Sequence, residues 1–361
     1  MLNYNIKFSK LLILIGLIFY LSAIAPTFVF SQNDWSLPLK KCWTIENRSG
    51  DILASDNESK HIILYSQTEI KLLNSESGNV NWQTSISGTL IGDSVVYEQN
   101  IFYIAESNDK KVFLNSINIE SGLLNWRTYV PLAYKLLVGK DNLFLLGDEG
   151  KQIYKVDRFD GKILTLDTFQ SKINLVLPFD SKIIAFKSDS TFSIISSSNN
   201  EKDKILGNFS GSINNAIYIS SGNFIWTNSH NEIGNYSSNY QENSWIRKIG
   251  GKITSLRFSE NILFVTSLDN FVYLFDINDG ELLLKKRLDG RIVKSSFVFD
   301  RKIIVSAYNS SLVYIFDLKN VSNINLITLS DADFADGFGF SDNKLIISTP
   351  GKIYAYSPSC K

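Results

Sequence analysis

The residues of this sequence that could do chemistry are few and lie far apart. There are two histidines, His61 before an apolar run and His230 in a polar turn. Neither stands at metal-ligand spacing from the other or from a cysteine, and no Gly-x-Ser-x-Gly elbow or phosphate-binding loop occurs. The sequence therefore predicts no catalytic residues and no cofactor.

One acidic cluster, Asp331, Asp333 and Asp336, places three carboxylates within six residues. Carboxylate oxygens are the ligands that calcium prefers, so these residues are weak candidates for a metal site. The spacing lacks the later bidentate glutamate of a helical calcium loop, and the segment begins a new repeat. A solvated loop is the favoured interpretation.

A turn motif recurs about every 40 residues, and this period indicates a repeat architecture. Between the turns lie short runs of β-branched and aromatic residues, such as Ile262–Ser267 and Phe271–Asp276, which are typical of strands joined by hairpins. The chain ends at Lys361 in the same phase, so eight repeats fit. The clear copies of the turn centre on Gly78, Gly122, Gly161 and Gly280, and weaker ones on Asn200, Gln241 and Asn320.

Four strands per repeat predict an all-β fold, an eight-bladed β-propeller of four-stranded antiparallel blades. A two-sheet sandwich and a parallel β-helix are the alternatives; the even period disfavours the first, and the length of the repeat disfavours the second. The last repeat supplies only three strands. We expect the N-terminal strand around Trp43 to complete it and close the ring, which removes two exposed sheet edges.

The two cysteines, Cys42 and Cys360, both fall at this predicted seam. Aligned with the first repeat, they occupy the positions of Asn81 and Ser77, on opposite limbs of one turn. We predict a disulfide bond between them, and two unpaired buried thiols are the alternative.

The chain opens with a charged start and an apolar core, as a secretory signal does. Cleavage is expected after Ala25 or, more favourably, after Ser31. The alternative is an uncleaved anchor, because Leu11–Phe30 is long enough to span a bilayer. The sequence thus predicts a signal peptide or N-terminal anchor at 1–31, a single propeller domain at 32–361, and an extracytoplasmic location, periplasmic or secreted, with membrane association if the anchor is retained.

The sequence carries 36 basic and 36 acidic residues and no polybasic run. Electrostatic capture of nucleic acid depends on an excess of positive charge, so nucleic acid is not an expected partner.

The copies at Gly78 and Gly122 each carry a tryptophan four positions later, at Trp82 and Trp126. This pattern resembles the repeat of the pyrroloquinoline-quinone-like propeller superfamily. The resemblance implies either a quinoprotein dehydrogenase or a non-catalytic propeller such as the periplasmic outer-membrane assembly lipoproteins. The vicinal cysteines of the dehydrogenases are absent, and the length is closer to the assembly proteins. The first cysteine, Cys42, does not follow a lipobox.

We therefore expect a non-catalytic scaffold that binds protein partners on one propeller face, with a role in envelope or membrane-protein assembly. The alternative is a quinone- or metal-dependent enzyme with a degenerate site. Candidate aromatic anchors for a partner are Asn223–Trp226 and Gln241–Arg247, although a core position is the favoured interpretation of both.

Overall fold

A computed structural model describes residues 38–47, 52–55, 61–139, 141–179, 182–196, 204–220, 223–237, 242–292, 296–299, 301–330 and 334–360. Residues 36–361 form one compact unit. Within the described part, no helix is long and apolar enough to cross a membrane. The predicted leader, its cleavage sites and the turn positions Asn200 and Gln241 lie outside the described residues.

The described residues form 32 strands in eight four-stranded antiparallel sheets, so the predicted fold class is confirmed. Strand β1 (Lys40–Glu46) belongs to the last sheet, and the other strands fill the blades in chain order. Blade 1 contains β2 (Ile52–Ser55), β3 (Ile62–Tyr65), β4 (Glu69–Leu73) and β5 (Val80–Ser85), and blade 2 contains β6 (Thr89–Tyr97), β7 (Asn100–Glu106), β8 (Val112–Asn118) and β9 (Leu124–Tyr129). Blade 3 contains β10 (Ala133–Val138), β11 (Asn142–Gly147), β12 (Gln152–Asp157) and β13 (Ile163–Thr168). Blade 4 contains β14 (Ile173–Phe179), β15 (Lys182–Lys187), β16 (Thr191–Ser196) and β17 (Lys204–Asn208).

The remaining blades follow the same plan. A single 3₁₀ turn, Asp148–Gly150, joins β11 to β12 in blade 3. Blade 5 contains β18 (Ile213–Ser220), β19 (Asn223–Asn228), β20 (Glu232–Ser237) and β21 (Glu242–Lys248), and blade 6 contains β22 (Ile253–Ser259), β23 (Ile262–Ser267), β24 (Phe271–Asp276) and β25 (Leu282–Arg287). Blade 7 contains β26 (Phe297–Phe299), β27 (Lys302–Ser306), β28 (Leu312–Asp317) and β29 (Ile324–Thr328). Blade 8 contains β30 (Gly337–Ser341), β31 (Lys344–Ser348) and β32 (Lys352–Ser357), and β1 is its outermost strand.

The first strands of the blades form the innermost ring. Each contacts the first strand of the next blade, and β2 of blade 1 contacts β30 of blade 8. We call the ends of the strands that carry the connections between blades the upper face. Because strands alternate in direction, the turns between second and third strands lie there too, and the turns between third and fourth strands lie on the opposite, lower face.

Every blade is covered on both sides by its neighbours, which explains the continuous apolar runs of the second and third strands. In β23, Leu263 packs in the core shared with blade 5, and the next residue, Phe264, packs in the core shared with blade 7. Both side chains are fully buried. The sequences of the second and third strands are therefore continuous runs of hydrophobic residues and do not alternate between apolar and polar residues.

The tryptophan and glycine of the repeat meet across the boundary between blades. Trp82, on the outer strand of blade 1, donates its indole N–H to the carbonyl of Ile119 in blade 2 at 2.8 Å, and its ring covers Gly122. Gly122 has a φ of +69°, and a Cβ there would lie 2.7 Å from the ring. The glycine is thus required by both its backbone conformation and the close approach of the indole.

The same contact recurs at three further blade boundaries. In each, the indole N–H donates to the carbonyl three residues before the glycine that the ring covers. The pairs are Trp43 with Ser75 and Gly78, Trp126 with Arg158 and Gly161, and Trp245 with Ile277 and Gly280.

A β-bulge in the outer strand orients each of these tryptophans. The register between β4 and β5 shifts so that Asn81 is left unpaired immediately before Trp82, and Asn125 has the same place before Trp126. Cys42 occupies this position before Trp43 in β1. A bulge increases the local twist of a strand, and here it turns the indole toward the next blade.

Strand β1 pairs with β32 along its length, so the N-terminal strand completes the last blade. Cys42 and Cys360 are joined by a disulfide bond across this seam. The half-buried Cys42 and the exposed Cys360 lie within reach of a reductant in solution. The ring is thus closed by strand pairing and by a covalent link.

Replacing Gly122 by alanine tests the contact between blades. We expect Gly122→Ala to lower the free energy of unfolding by more than about 1 kcal/mol, because a side chain at positive φ is strained and the new methyl group would press on Trp82. The control is Gly351→Ala, since Gly351 has open space around its Cβ position. Denaturant unfolding measures both. A Gly122→Ala effect that persists undiminished in a Trp82→Ala background would contradict the direct contact.

Removal of the disulfide should weaken the closed ring. The bond links residues 318 positions apart, and constraint of so long a loop in the unfolded chain predicts a loss of about 2–5 kcal/mol in a Cys42→Ser/Cys360→Ser variant. A reductant should shift the unfolding midpoint of the wild type toward that of the variant and leave the variant unchanged. An unchanged wild-type midpoint would show that the bond does not stabilise the ring.

Candidate interaction surface

The upper face of blade 3 carries a pocket of about 470 Å³ lined by Leu132, Tyr134, Asp148, Glu149 and Lys172. We refer to these five residues as the blade 3 pocket. They come from the loop that enters β10 together with the start of β10 itself, from the turn between β11 and β12, and from the loop that enters β14. The topology of the propeller brings these connections to the same end of the sheet.

Leu132 has an unusual backbone conformation at this pocket. Its φ is +58°, in the left-handed region that disfavours side chains, and 61% of the residue is exposed to solvent. Such a conformation costs a non-glycine residue about 1–2 kcal/mol. An apolar side chain that is both strained and exposed contributes little to the fold itself, and strained positions of this kind cluster at functional sites.

Hydrogen bonds from blade 3 fix the loop around Leu132. The buried Tyr154 donates its hydroxyl to the carbonyl of Pro131 at 2.8 Å, and the backbone N–H of Asp148 donates to the carbonyl of Leu132 at 3.2 Å. Burial raises the pKa of Tyr154, so its hydroxyl keeps the proton that it donates. The leucine is therefore presented on a rigid support.

The turn that faces Leu132 is also strained. Asp148 and Glu149 have φ values of +45° and +51°, one directly after the other. Gly150 follows with a φ of +94°, and a Cβ at this residue would lie 2.5 Å from the carbonyl oxygen of Ile173 in blade 4. The close approach of blade 4 thus requires a glycine at the end of the turn that carries both carboxylates to the pocket.

Charged and aromatic groups surround the exposed leucine. Tyr134 is 38% exposed, and partial burial together with the negative charge of Glu149 raises the pKa of its hydroxyl. Tyr129, three residues before Leu132, is 52% exposed. The surface therefore combines an apolar side chain with aromatic, acidic and basic groups, and tyrosine is among the residues enriched in binding hot spots of protein interfaces.

The residues that the sequence analysis considered lie elsewhere. Nε2 of His61 is 3.2 Å from Oε1 of Glu120 on the lower face, whereas His230 is exposed on the upper face. Asp331 and Asp333 lie outside the described residues, and Asp336 is half-buried. Within the described ranges, no group of three or more His, Cys, Asp or Glu residues is placed to hold a metal ion.

The two candidate aromatic anchors belong to the core. Trp226 is fully buried and donates its indole N–H to Oδ1 of Asn243 at 2.8 Å. Trp245 is buried at the boundary between blades 5 and 6, and Arg247 beside it donates to the carbonyls of Asp279 and Gly280. Both tryptophans are therefore core residues, in agreement with the favoured interpretation, whereas Ile246 and Arg247 of the second segment are exposed.

Sequence reasoning missed the blade 3 pocket, although a signal was present. The segment from Tyr129 to Tyr134 reads Tyr-Val-Pro-Leu-Ala-Tyr. An apolar run at a connection between blades, where polar residues are expected, indicates either an error of assignment or a function.

The comparisons with known proteins agree with this architecture. Residues 210–322 match the family model described as outer membrane protein assembly factor BamB. These residues span blade 5, blade 6 and most of blade 7. The eight-bladed fold is confirmed, and residues 210–322 are similar to this family, in agreement with the predicted resemblance to pyrroloquinoline-quinone-like propellers.

Three solved structures share the fold at low identity. BamB from Moraxella catarrhalis has a TM-score of 0.64 at 13% identity, covering 89% of this chain and 100% of its own. The computationally designed protein Ika8 has a TM-score of 0.71 at 14% identity, with coverages of 88% and 99%. Sqt1 from Saccharomyces cerevisiae has a TM-score of 0.69 at 10% identity, with coverages of 90% and 100%. The search of curated proteins finds no match to this chain.

Replacing Leu132 tests whether its positive φ lowers the stability of the protein. We expect Leu132→Gly to raise the free energy of unfolding by up to about 1 kcal/mol, because glycine adopts positive φ without strain and little burial is lost. The matched control is Leu326→Gly, since Leu326 is 55% exposed in the strand β29. Glycine weakens a strand, so this control should be less stable. A loss of stability in Leu132→Gly equal to that of the control would contradict the assigned strain.

Proposed function

We propose that this protein is a non-catalytic scaffold that binds a protein partner through the blade 3 pocket. The observation that carries the proposal is the exposed, strained Leu132 held on a rigid loop among two tyrosines and charged side chains. Partner binding would bury the leucine and offset the cost of its conformation. A rigid apolar anchor with a polar rim is the arrangement that concentrates binding energy in protein interfaces.

We further propose that the scaffold works outside the cytoplasm, in the assembly of envelope or membrane proteins. Three observations support this role. Residues 210–322 are similar to a family described as an outer membrane assembly factor. Residues 1–31 have the pattern of a signal peptide or anchor. A disulfide bond closes the ring, and such bonds persist in oxidising compartments. The alternative, a quinone- or metal-dependent enzyme, stays a prediction.

A second group of exposed apolar residues lies on the lower face and outer edge of blades 2 and 3, including Leu123 and Phe159. The ring of Phe159 is covered on one side by the guanidinium of Arg158, 4.7 Å from the ring centroid. In the described ranges, no non-glycine residue adjacent to Leu123 or Phe159 has a positive φ. They serve as the comparison surface for the test of the proposed site.

The test introduces one charge at a time into each surface. Leu132→Asp should weaken binding of the partner, captured from the native envelope and identified with the wild type, by about 30-fold, the effect of losing a hot spot of 2 kcal/mol. Aspartate tolerates positive φ, so the loop should keep its conformation. Leu326→Asp and Phe159→Asp are the matched controls and should bind as the wild type does. Loss of binding with Phe159→Asp but not with Leu132→Asp would overturn the proposed site.

A further inference from the structure

One repeat position on the innermost strands changes from apolar to charged in blade 6. Strand pairing identifies the equivalent residues of different blades, since each residue on a first strand pairs with the same position of the second strand of its own blade. Leucine, isoleucine or phenylalanine occupies the position in blades 3, 4, 5 and 7, whereas blade 6 has arginine. The pairs are Leu137 with Phe144, Leu177 with Ile184, Ile217 with Ile225, Arg257 with Phe264, and Phe297 with Ile304.

The guanidinium of Arg257 is oriented by backbone carbonyls rather than by an acid. Its Nε donates to the carbonyl of Ser296 in blade 7 at 3.0 Å, and its Nη1 donates to the carbonyl of Leu256 at 2.8 Å. No carboxylate in the described ranges forms an ion pair with it. Burial lowers the pKa of Arg257, although an arginine remains charged.

Hydroxyl groups line the same boundary between blades 6 and 7. The side chains of Ser255 and Ser296 share a hydrogen bond of 3.0 Å, and Thr266 donates to Ser255 at 3.0 Å. Thr254 extends the chain to Thr266 at 2.8 Å. Three of these four residues are buried: Ser255, Thr266 and Ser296. Partial burial of the guanidinium is costly, and an apolar residue serves at this position in blades 3, 4, 5 and 7.

Arg257 is half-buried, so part of the residue remains exposed to solvent. The fork of N–H donors in this group matches the oxygens of a carboxylate or a phosphate. We propose that the N–H donors of Arg257 that are not taken by the carbonyls of Ser296 and Leu256 form an oxyanion-binding site on the innermost strands, at the boundary between blades 6 and 7. The site takes a ligand with a carboxylate or phosphate group, and it lies on different blades from the blade 3 pocket.

The experiment compares the wild type with Arg257→Leu, which introduces the residue that blades 3 and 4 carry. Citrate and inorganic phosphate are added separately, with sodium chloride at the same ionic strength as the control. We expect at least one anion to raise the melting temperature of the wild type by about 2 °C or more, and neither to raise that of Arg257→Leu. An effect of citrate alone assigns a carboxylate ligand, and an effect of phosphate alone assigns a phosphate ligand.

Two further measurements separate binding from a structural role. Arg257→Lys keeps the charge but loses the fork, so titration calorimetry should show binding of the active anion weakened about tenfold or more. Without anion, Arg257→Leu should melt at or above the wild-type temperature, because it removes a buried charge. The proposal is overturned if neither anion stabilises the wild type, or if both proteins are stabilised equally.

Discussion

The contact between a tryptophan of one blade and a glycine of the next sets the geometry of the ring. A propeller blade has two apolar faces and cannot bury either alone, so its stability depends on how it meets its neighbours. The indole fills the gap over the glycine, and its N–H satisfies a carbonyl that the turn leaves open. One side chain therefore supplies packing and hydrogen bonding together, and it fixes the spacing and tilt of adjacent blades.

The contact is absent in some boundaries of the described part, and other packing takes its place. Between blades 4 and 5, rings of Phe186, Phe192, Phe224 and Tyr236 pack with centroid separations of 5.0–5.9 Å. Between blades 6 and 7, Leu284 packs in the shared apolar core. Burial of apolar surface is what each boundary needs, and several residue types supply it. This explains why the tryptophan is lost from half of the repeats while the period of the repeat is kept.

Much of the fold could be predicted from the sequence because its signals are local. Gly78, Gly122, Gly161 and Gly280 mark turns that need positive φ, and the apolar runs between them mark strands. The partner of Trp82 could not be predicted in the same way, since Gly122 lies 40 positions further along and on another blade. The pocket at Leu132 depends on three loops that meet only when blades 3 and 4 have packed together. The polar surroundings of Arg257 likewise come from two blades, and its own sequence context shows only an arginine within a strand.

The pairing of β1 with β32 has a consequence for how the molecule is made. Strand β1 is synthesised before blades 1 to 7 and β32 after them, so β1 stays without its partner until those seven blades have emerged. The ring can close only after β32 has emerged, and this closure has a very high contact order. During that interval both ends of an open arc expose strand edges to other chains. Oxidation of Cys42 with Cys360 then links the two ends of the ring covalently once β1 has paired with β32.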